Sequence, residues 1–170
     1  HVVMIGASSG RGEDQTGGKV IGIDPNKGKI LWEYTNWQCI IPAPSAYDAG
    51  EGKALIIGGY EAGAAMIQVE KKANGSYGVS ELYKNVDFGA HTKPPIFHEG
   101  YFYAQYSTNN RRDGLVCMSM DGELMWKTGR PMCERPKSTF ELYVPVLSTT
   151  NKVLSNASPP KLDAIASVVL

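Results

Sequence analysis

The chain is poor in the residues that would make its chemistry obvious. Cys39, Cys117 and Cys133 are its three cysteines, widely spaced and without a C-x-x-C pair. An odd count limits the chain to one internal disulfide, and isolated thiols of this kind ordinarily behave as small buried apolar groups. Net charge is missing too. Lys+Arg and Asp+Glu number 17 each, so no bulk field favours nucleic acid or an anionic surface, and no nucleic-acid partner is expected. No apolar run approaches the ~20 residues of a spanning helix, so no membrane span is expected. The three histidines, His1, His91 and His98, lack metal-ligand spacing, and neither H-E-x-x-H nor H-x-H occurs, so no metal site is assigned. G-x-S-x-G, Walker and EF-hand signatures are absent, which leaves catalytic residues unassigned. The first residue is His1, with no charged and apolar leader behind it; a processed terminus or a fragment boundary is expected.

What is present points to β-structure. The 170 residues are enough for one ordinary domain, 42% of them apolar, and there are 19 glycines but no long Ala- or Leu-rich helical stretch. Many glycines without helical stretches favour short strands joined by tight turns. Every glycine lies in residues 1–129.

Self-similarity organises that region. "VIGIDPNKGKILWEY" (20–34) and "LVCMSMDGELMWKTG" (115–129) share an apolar strand, a turn with Asp and Gly, and a strand carrying Trp. Trp32 and Trp126 stand 94 positions apart, so a further copy is expected midway. "AMIQVEKKANGSYGVSELYKN" (65–85) is that copy, with Leu82 near the expected Trp position. A second pair, "IPAPSAYDAGEGKALIIGGY" (41–60) and "TKPPIFHEGYFYAQY" (92–106), reads as two Pro-led strands, each followed by a Gly-containing turn and another strand. Pro suits the first residue of such strands, where its missing N–H need not pair. Strands are therefore expected near 42–47, 54–59, 65–70 and 78–83, then near 94–98, 101–106, 114–120 and 123–128. An incomplete set precedes them near 2–6, 19–24 and 29–34. Asn74-Gly75 and Asp121-Gly122 are read as hairpin turns in which both residues take positive φ.

Four short antiparallel strands every ~45–50 residues have the length of a propeller blade. The fold expected is all-β: a β-propeller segment of about three to four blades, each a four-stranded antiparallel sheet. Residues 1–36 form a partial blade, 37–85 and 86–129 a blade each. Residues 130–170 lack glycine; "FELYVPVLS" (140–148) and "LDAIASVVL" (162–170) are strand-like, and the segment reads as a degraded or partial blade or a tail.

The repeated "IDPNKGKILWEY" and "MSMDGELMWKT", with Asp24, Gly28, Trp32, Gly122 and Trp126 at repeat positions, resemble the repeat of PQQ-like β-propellers. That family includes quinoprotein alcohol dehydrogenases and the outer-membrane assembly lipoprotein of the Bam complex. Residues 88–128 further resemble bacterial PQQ-like propeller proteins. The resemblance spans about 1–129 and implies a seven- or eight-bladed propeller in which remaining blades or another chain close the ring. It also implies a periplasmic or extracytoplasmic location. PQQ and Ca²⁺ as cofactors are implied by the resemblance alone; none is evident in the residues. The vicinal Cys-Cys of the alcohol dehydrogenases is absent from this chain.

One motif points elsewhere. "VVMIGASSGRG" (2–12) has Gly6-x-x-x-Gly10-x-Gly12 after an apolar strand, similar to the glycine loop of short-chain dehydrogenases and so to an NAD(P)-binding oxidoreductase. That reading requires a helix after the third glycine, holding the pyrophosphate at its N-terminus. Gly17 and Gly18 would fall in its second turn at ~1 kcal/mol each, no apolar stripe precedes Val20, and no Tyr-x-x-x-Lys occurs. A loop joining two strands needs no such exceptions.

Long loops are expected on one face, at 7–18, 60–64, 107–113, 35–41 and 84–93, with shorter turns opposite. That face carries Arg11, Glu13, Asp14, Trp37, Tyr60, Glu61, His91, Asn109, Arg111, Arg112 and Asp113. Trp37, Tyr60, Glu61, His91, Asn109, Arg111 and Arg112 are the candidate binding residues. Each has a plainer alternative: a wedge between blades for Trp37, a solvated turn for Arg111-Arg112-Asp113, a loop brace for His91. Trp32 and Trp126 are expected to pack between blades. The function expected is a binding or scaffold module of the bacterial cell envelope, recognising a protein, carbohydrate or small molecule. The alternative is a fragment of a PQQ-dependent alcohol or sugar dehydrogenase.

Overall fold

The computed structural model describes residues 1–10, 12–108 and 111–128; the expected features of 130–170, Cys133 and Asn109 lie outside them. The described chain is all-β, without an α-helix. The first sheet contains β1 (Val2–Ile5). A two-stranded ribbon, β2 (Ser8–Ser9) and β3 (Thr16–Gly17), then interrupts it before β4 (Val20–Ile23) and β5 (Ile30–Tyr34) return, giving the order β1-β4-β5. The second sheet is the meander β6 (Tyr47–Gly50), β7 (Lys53–Gly58), β8 (Gly63–Lys71) and β9 (Tyr77–Asn85). The third repeats it with β10 (Ile96–His98), β11 (Tyr101–Thr108), β12 (Arg111–Ser119) and β13 (Leu124–Lys127). All neighbouring strands run antiparallel.

Pairing register shows the internal repeat residue by residue. Gly22 faces Trp32, Met66 faces Tyr83 and Cys117 faces Trp126; a bulge follows at once in every case, before Ile23, Ile67 and Met118. The aromatic of the second repeat is therefore Tyr83, not its neighbour Leu82, which is 48% exposed. The turn beyond the bulge also recurs. Gly28, Gly75 and Gly122 donate their N–H to the carbonyls of Asp24, Lys72 and Ser119, and those residues donate theirs to Lys29, Ser76 and Glu123.

In these turns only the glycine has positive φ, at 63°, 82° and 86°. The expectation of positive φ at Asn74 and Asp121 is thus corrected. Each loop is a turn closed by one left-handed glycine, which absorbs the reversal alone. Consecutive positive φ occurs instead at Gly17-Gly18, Gly50-Glu51-Gly52, Tyr60-Glu61 and Glu99-Gly100.

Two strand bounds also move. The first strand of the second sheet starts at Tyr47, past Pro42 and Pro44, rather than at 42. A second proline two residues on would remove another ladder donor, and the buried Pro44 packs in the connecting loop instead. In the third sheet β11 and β12 continue to Thr108 and from Arg111, so 107–108 and 111–113 belong to paired strands and not to a loop.

The sheets share two cores. Val20, Trp32 and Tyr34 of the first sheet pack with Trp37 and Cys39 of the connection against Ala54, Ile56, Ala65 and Ile67. Leu55, Ile57, Ala64 and Met66 pack with Phe88 and Ala90 of the next connection against Phe102, Ala104, Val116 and Met118. Alternate residues of β7 and β8 thus enter different cores. This explains why "ALII" and "AAMI" read as continuous apolar runs: a sheet covered on both faces has no polar side. Trp37 and Phe88, then Cys39 and Ala90, are matching plugs from the two connections. Polar links reinforce the first junction, where Tyr34 donates its hydroxyl to Glu81 and Lys84 bonds the Asn36 carbonyl.

At the second junction the Tyr83 ring occupies the place where a Cβ at Gly122 would stand, and Asn85 Nδ2 donates to the Gly122 carbonyl at 2.9 Å. Among the described residues the Tyr83 hydroxyl is buried without a hydrogen-bond partner. Tyr83→Phe is therefore expected to raise stability by about 1 kcal/mol, since it removes an unpaired buried polar group and keeps the ring. Burial, with a smaller contribution from the Asp121 charge, also raises the Tyr83 phenol above its ordinary value. Tyr34 shifts the same way, through burial and then Glu81. The folded state holds these phenols protonated while the unfolded chain ionises them from about pH 10. Their contribution is complete below that pH and is lost as pH rises above it. Urea titrations from neutral to alkaline pH should show falling stability, with a smaller fall in Tyr83→Phe.

Candidate functional site

The connections between sheets, 35–46 and 86–95, lie at the same end of the strands as the β7–β8 turn and the β1–β4 excursion. The β7–β8 turn is the most constrained element of that end. Ala62 donates its N–H to the Gly59 carbonyl at 3.1 Å, and between them Tyr60 and Glu61 take φ of 55° and 68°. Two left-handed central residues match the twist of a hairpin, but the geometry ordinarily selects Asn-Gly. For residues with a Cβ it costs roughly 1–2 kcal/mol each.

The surroundings hold this turn in place. On one side, Trp37 Nε1 donates to the Gly63 carbonyl at 3.4 Å, and Cys39 Sγ to the Gly59 carbonyl at 3.7 Å. Burial raises the Cys39 thiol above its ordinary value, with the backbone contacts opposing, so this sulfur is a protonated donor and not a nucleophile. On the other side, the His91 imidazole lies flat on Gly59, where a Cβ would come within 2.3 Å of Nδ1. The same ring meets Tyr60 edge-on, with centroids 4.7 Å apart. The connection before the second sheet and the connection after it thus grip one four-residue turn. Glu61 projects at its tip, exposed, while Tyr60 and His91 are half-buried beside it.

The structure brings Tyr60, Glu61 and His91 together at the surface, with Trp37 behind their turn. Trp37 is 3% exposed, in the core between the first two sheets. Arg111 and Arg112 are strand residues paired with Thr108 and Ser107; Arg11 and Asn109 lie outside the described residues. Glu13 and Asp14 are exposed on a single 3-10 turn, Gly12–Asp14. The glycine stretch beginning at Gly6 leads into the β2–β3 ribbon and this turn, then into strand β4, so no α-helix follows Gly12 as dinucleotide binding requires. Ser8 N–H donates to the Cys39 carbonyl at 2.9 Å, tying this excursion to the same connection that holds the β7–β8 turn. The strain at Tyr60-Glu61 and the role of Gly59 left no motif in the sequence. The available signal was negative: a two-residue hairpin turn without Asn, Asp or Gly at its centre.

Among the described residues no group of three or more His, Cys, Asp or Glu is placed to hold a metal ion. No helix there is long and apolar enough to cross a membrane. No family model, curated protein or solved structure matches this chain.

Proposed function

We propose that the three sheets are consecutive blades of a PQQ-like β-propeller that works as a binding or scaffold module of the bacterial cell envelope. The proposed ligand is a protein or carbohydrate met by the face that carries Tyr60, Glu61 and His91. The observation carrying this reading is the left-handed Tyr60-Glu61 turn gripped by both connections. Strained backbone that the surroundings over-determine concentrates where a protein meets a ligand. A half-buried phenol and imidazole beside an exposed carboxylate offer a flat surface and directional hydrogen bonds, which suit hydroxyl-rich or peptide ligands.

The exchange Tyr60→Asn with Glu61→Gly tests it. Relief of both positions, offset in part by loss of the Tyr60–His91 ring contact, is expected to raise stability by about 1–2 kcal/mol in chemical denaturation, and binding is expected to fall. Glu51→Asn, in the short Glu51-Gly52 turn at the other end of the sheet, is the control. Photocrosslinkers placed at residue 61 and at residue 51 would be compared on envelope extracts, alongside a glycan array. Enrichment at 61 over 51, together with array binding that the exchange abolishes, supports the reading. Equal labelling from both ends, with array binding unchanged by the exchange, rejects it.

A further inference from the structure

The tip of the β8–β9 hairpin lies at the end of the sheet opposite to Tyr60 and Glu61. Of the asparagines in the chain, Asn74 alone is followed by glycine. Asn74, Gly75 and Ser76 are all exposed. The Asn74 carboxamide is nevertheless held in place. Its Oδ1 accepts from the Ser76 backbone N–H at 3.0 Å and from the Ser76 hydroxyl at 2.7 Å. A side chain bonded to its own backbone two residues on is folded back over the intervening peptide group. Asn74 Cγ is thus kept next to the Gly75 nitrogen, with two donors on its carbonyl oxygen.

The Gly75 nitrogen is open to that carbon. Gly75 brings no Cβ to the turn, and no atom lies within 4 Å of where one would stand. Its N–H donates to the Lys72 carbonyl at 2.9 Å, a bond at the end of an exposed hairpin, which opens at little cost. The third sheet supplies the contrast. Its turn Ser119–Gly122 makes the same two backbone bonds at the same spacing, with Asp121 in the place of Asn74. There the Tyr83 ring stands over the glycine.

We propose that Asn74 is a self-modification site, converted without an enzyme to aspartate and isoaspartate through a cyclic imide. The Gly75 amide gives its proton to hydroxide, and its nitrogen forms a bond to Asn74 Cγ. The Cγ–Nδ2 bond then breaks, and Nδ2 takes a proton from water and leaves as ammonia. Water opens the ring. Attack at Cγ restores the main chain with an Asp side chain; attack at the main-chain carbonyl of residue 74 leaves the chain running through Cγ as isoaspartate. The net change is one water consumed and one ammonia released, with no oxidation. Ser76 acts at the first step, where its N–H and hydroxyl hold the oxygen on which negative charge develops. Asp at 74 reproduces the Asp121-Gly122 turn and adds a negative charge beside Lys71 and Lys72 in the chain. Isoaspartate lengthens the backbone by one atom, so the two bonds that close the turn at Lys72 no longer fit together. This inference is independent of the loop-face reading.

The test is incubation of the full chain at mildly alkaline pH, followed by digestion and mass spectrometry with fragmentation that separates isoaspartate from aspartate. Conversion at Asn74 is expected to run about tenfold faster than at Asn26, Asn36 or Asn85. Ser76→Ala removes the hydroxyl donor from an exposed turn and is expected to slow conversion about threefold. In urea, where the turn is lost, the parent and Ser76→Ala chains are expected to convert at one rate. Conversion at Asn74 no faster than at the other three asparagines overturns the inference. So does a Ser76→Ala chain that converts as fast as the parent in buffer, and so does a difference between the two that persists in urea.

Discussion

Phe102→Ala is expected to lower the free energy of unfolding by about 4 kcal/mol, the upper range for removing a buried aromatic ring. Phe102 is wholly buried and lies within ring-contact distance of Tyr47, Phe97 and Phe88, with centroids 5.4, 4.8 and 6.5 Å away. These partners come from the first strand of the second sheet, the first strand of the third, and the connection between them. The ring is therefore where three separately placed segments meet, and they cannot all move in to fill its volume. Chemical denaturation measures the loss. Hydrogen exchange should localise it, with protection falling at β11 and β12 and holding at β4 and β5. A loss near 1 kcal/mol, or one spread evenly over the three sheets, would mean that the aromatic cluster is not what joins the second sheet to the third.

Gly22→Val should be nearly as damaging for the opposite reason. Gly22 has no positive φ, so backbone conformation does not demand a glycine there. The demand is steric: a Cβ would stand 2.1 Å from Trp32 Cε2 and Nε1. Trp32 is buried, and its Nε1 donates to His1 Nδ1 at 3.2 Å. The indole therefore has little freedom to retreat, and overpacking of about 3 kcal/mol is expected. The counterparts of Gly22 are Met66 and Cys117, both side-chain bearing, so the glycine answers the tilt of this one indole and not a rule of the repeat. Pairing Gly22→Val with Trp32→Leu should recover part of the loss, and the non-additivity of the double-mutant cycle measures the contact. Additive effects of the two substitutions would remove Trp32 as the cause.

The repeat was legible in the sequence because its markers are steric. Trp32 and Trp126 sit beside a bulge and a glycine turn, and both features constrain residue type strongly. The midway copy is legible as a unit, but spacing points to Leu82, which is not aromatic, for the Trp position that Tyr83 fills. A bulge shifts which face a residue reaches, and spacing alone does not register it. The start of β6 is not legible, because a proline suits the first residue of a strand and a connecting loop equally, and Pro44 packs in the connection. Of the candidate site, Tyr60, Glu61 and His91 were named from loop position. Their assembly depends on Gly59 and on two connections far apart in sequence. The burial of Trp37 follows from a match with Phe88 that only the folded register displays.

The double coverage of the second sheet also sets an order of events during synthesis. Leu55, Ile57, Ala64 and Met66 have their partners among residues 88–118, which leave the ribosome after them. When the chain has been made only as far as Asn85, the second sheet has its fourth strand and its contacts to the first. Its other face is still bare and strongly apolar. The interval in which some 40 further residues are translated lasts a few seconds. Throughout it the nascent protein carries an adhesive surface that the finished one hides, and a holding chaperone would find its substrate there.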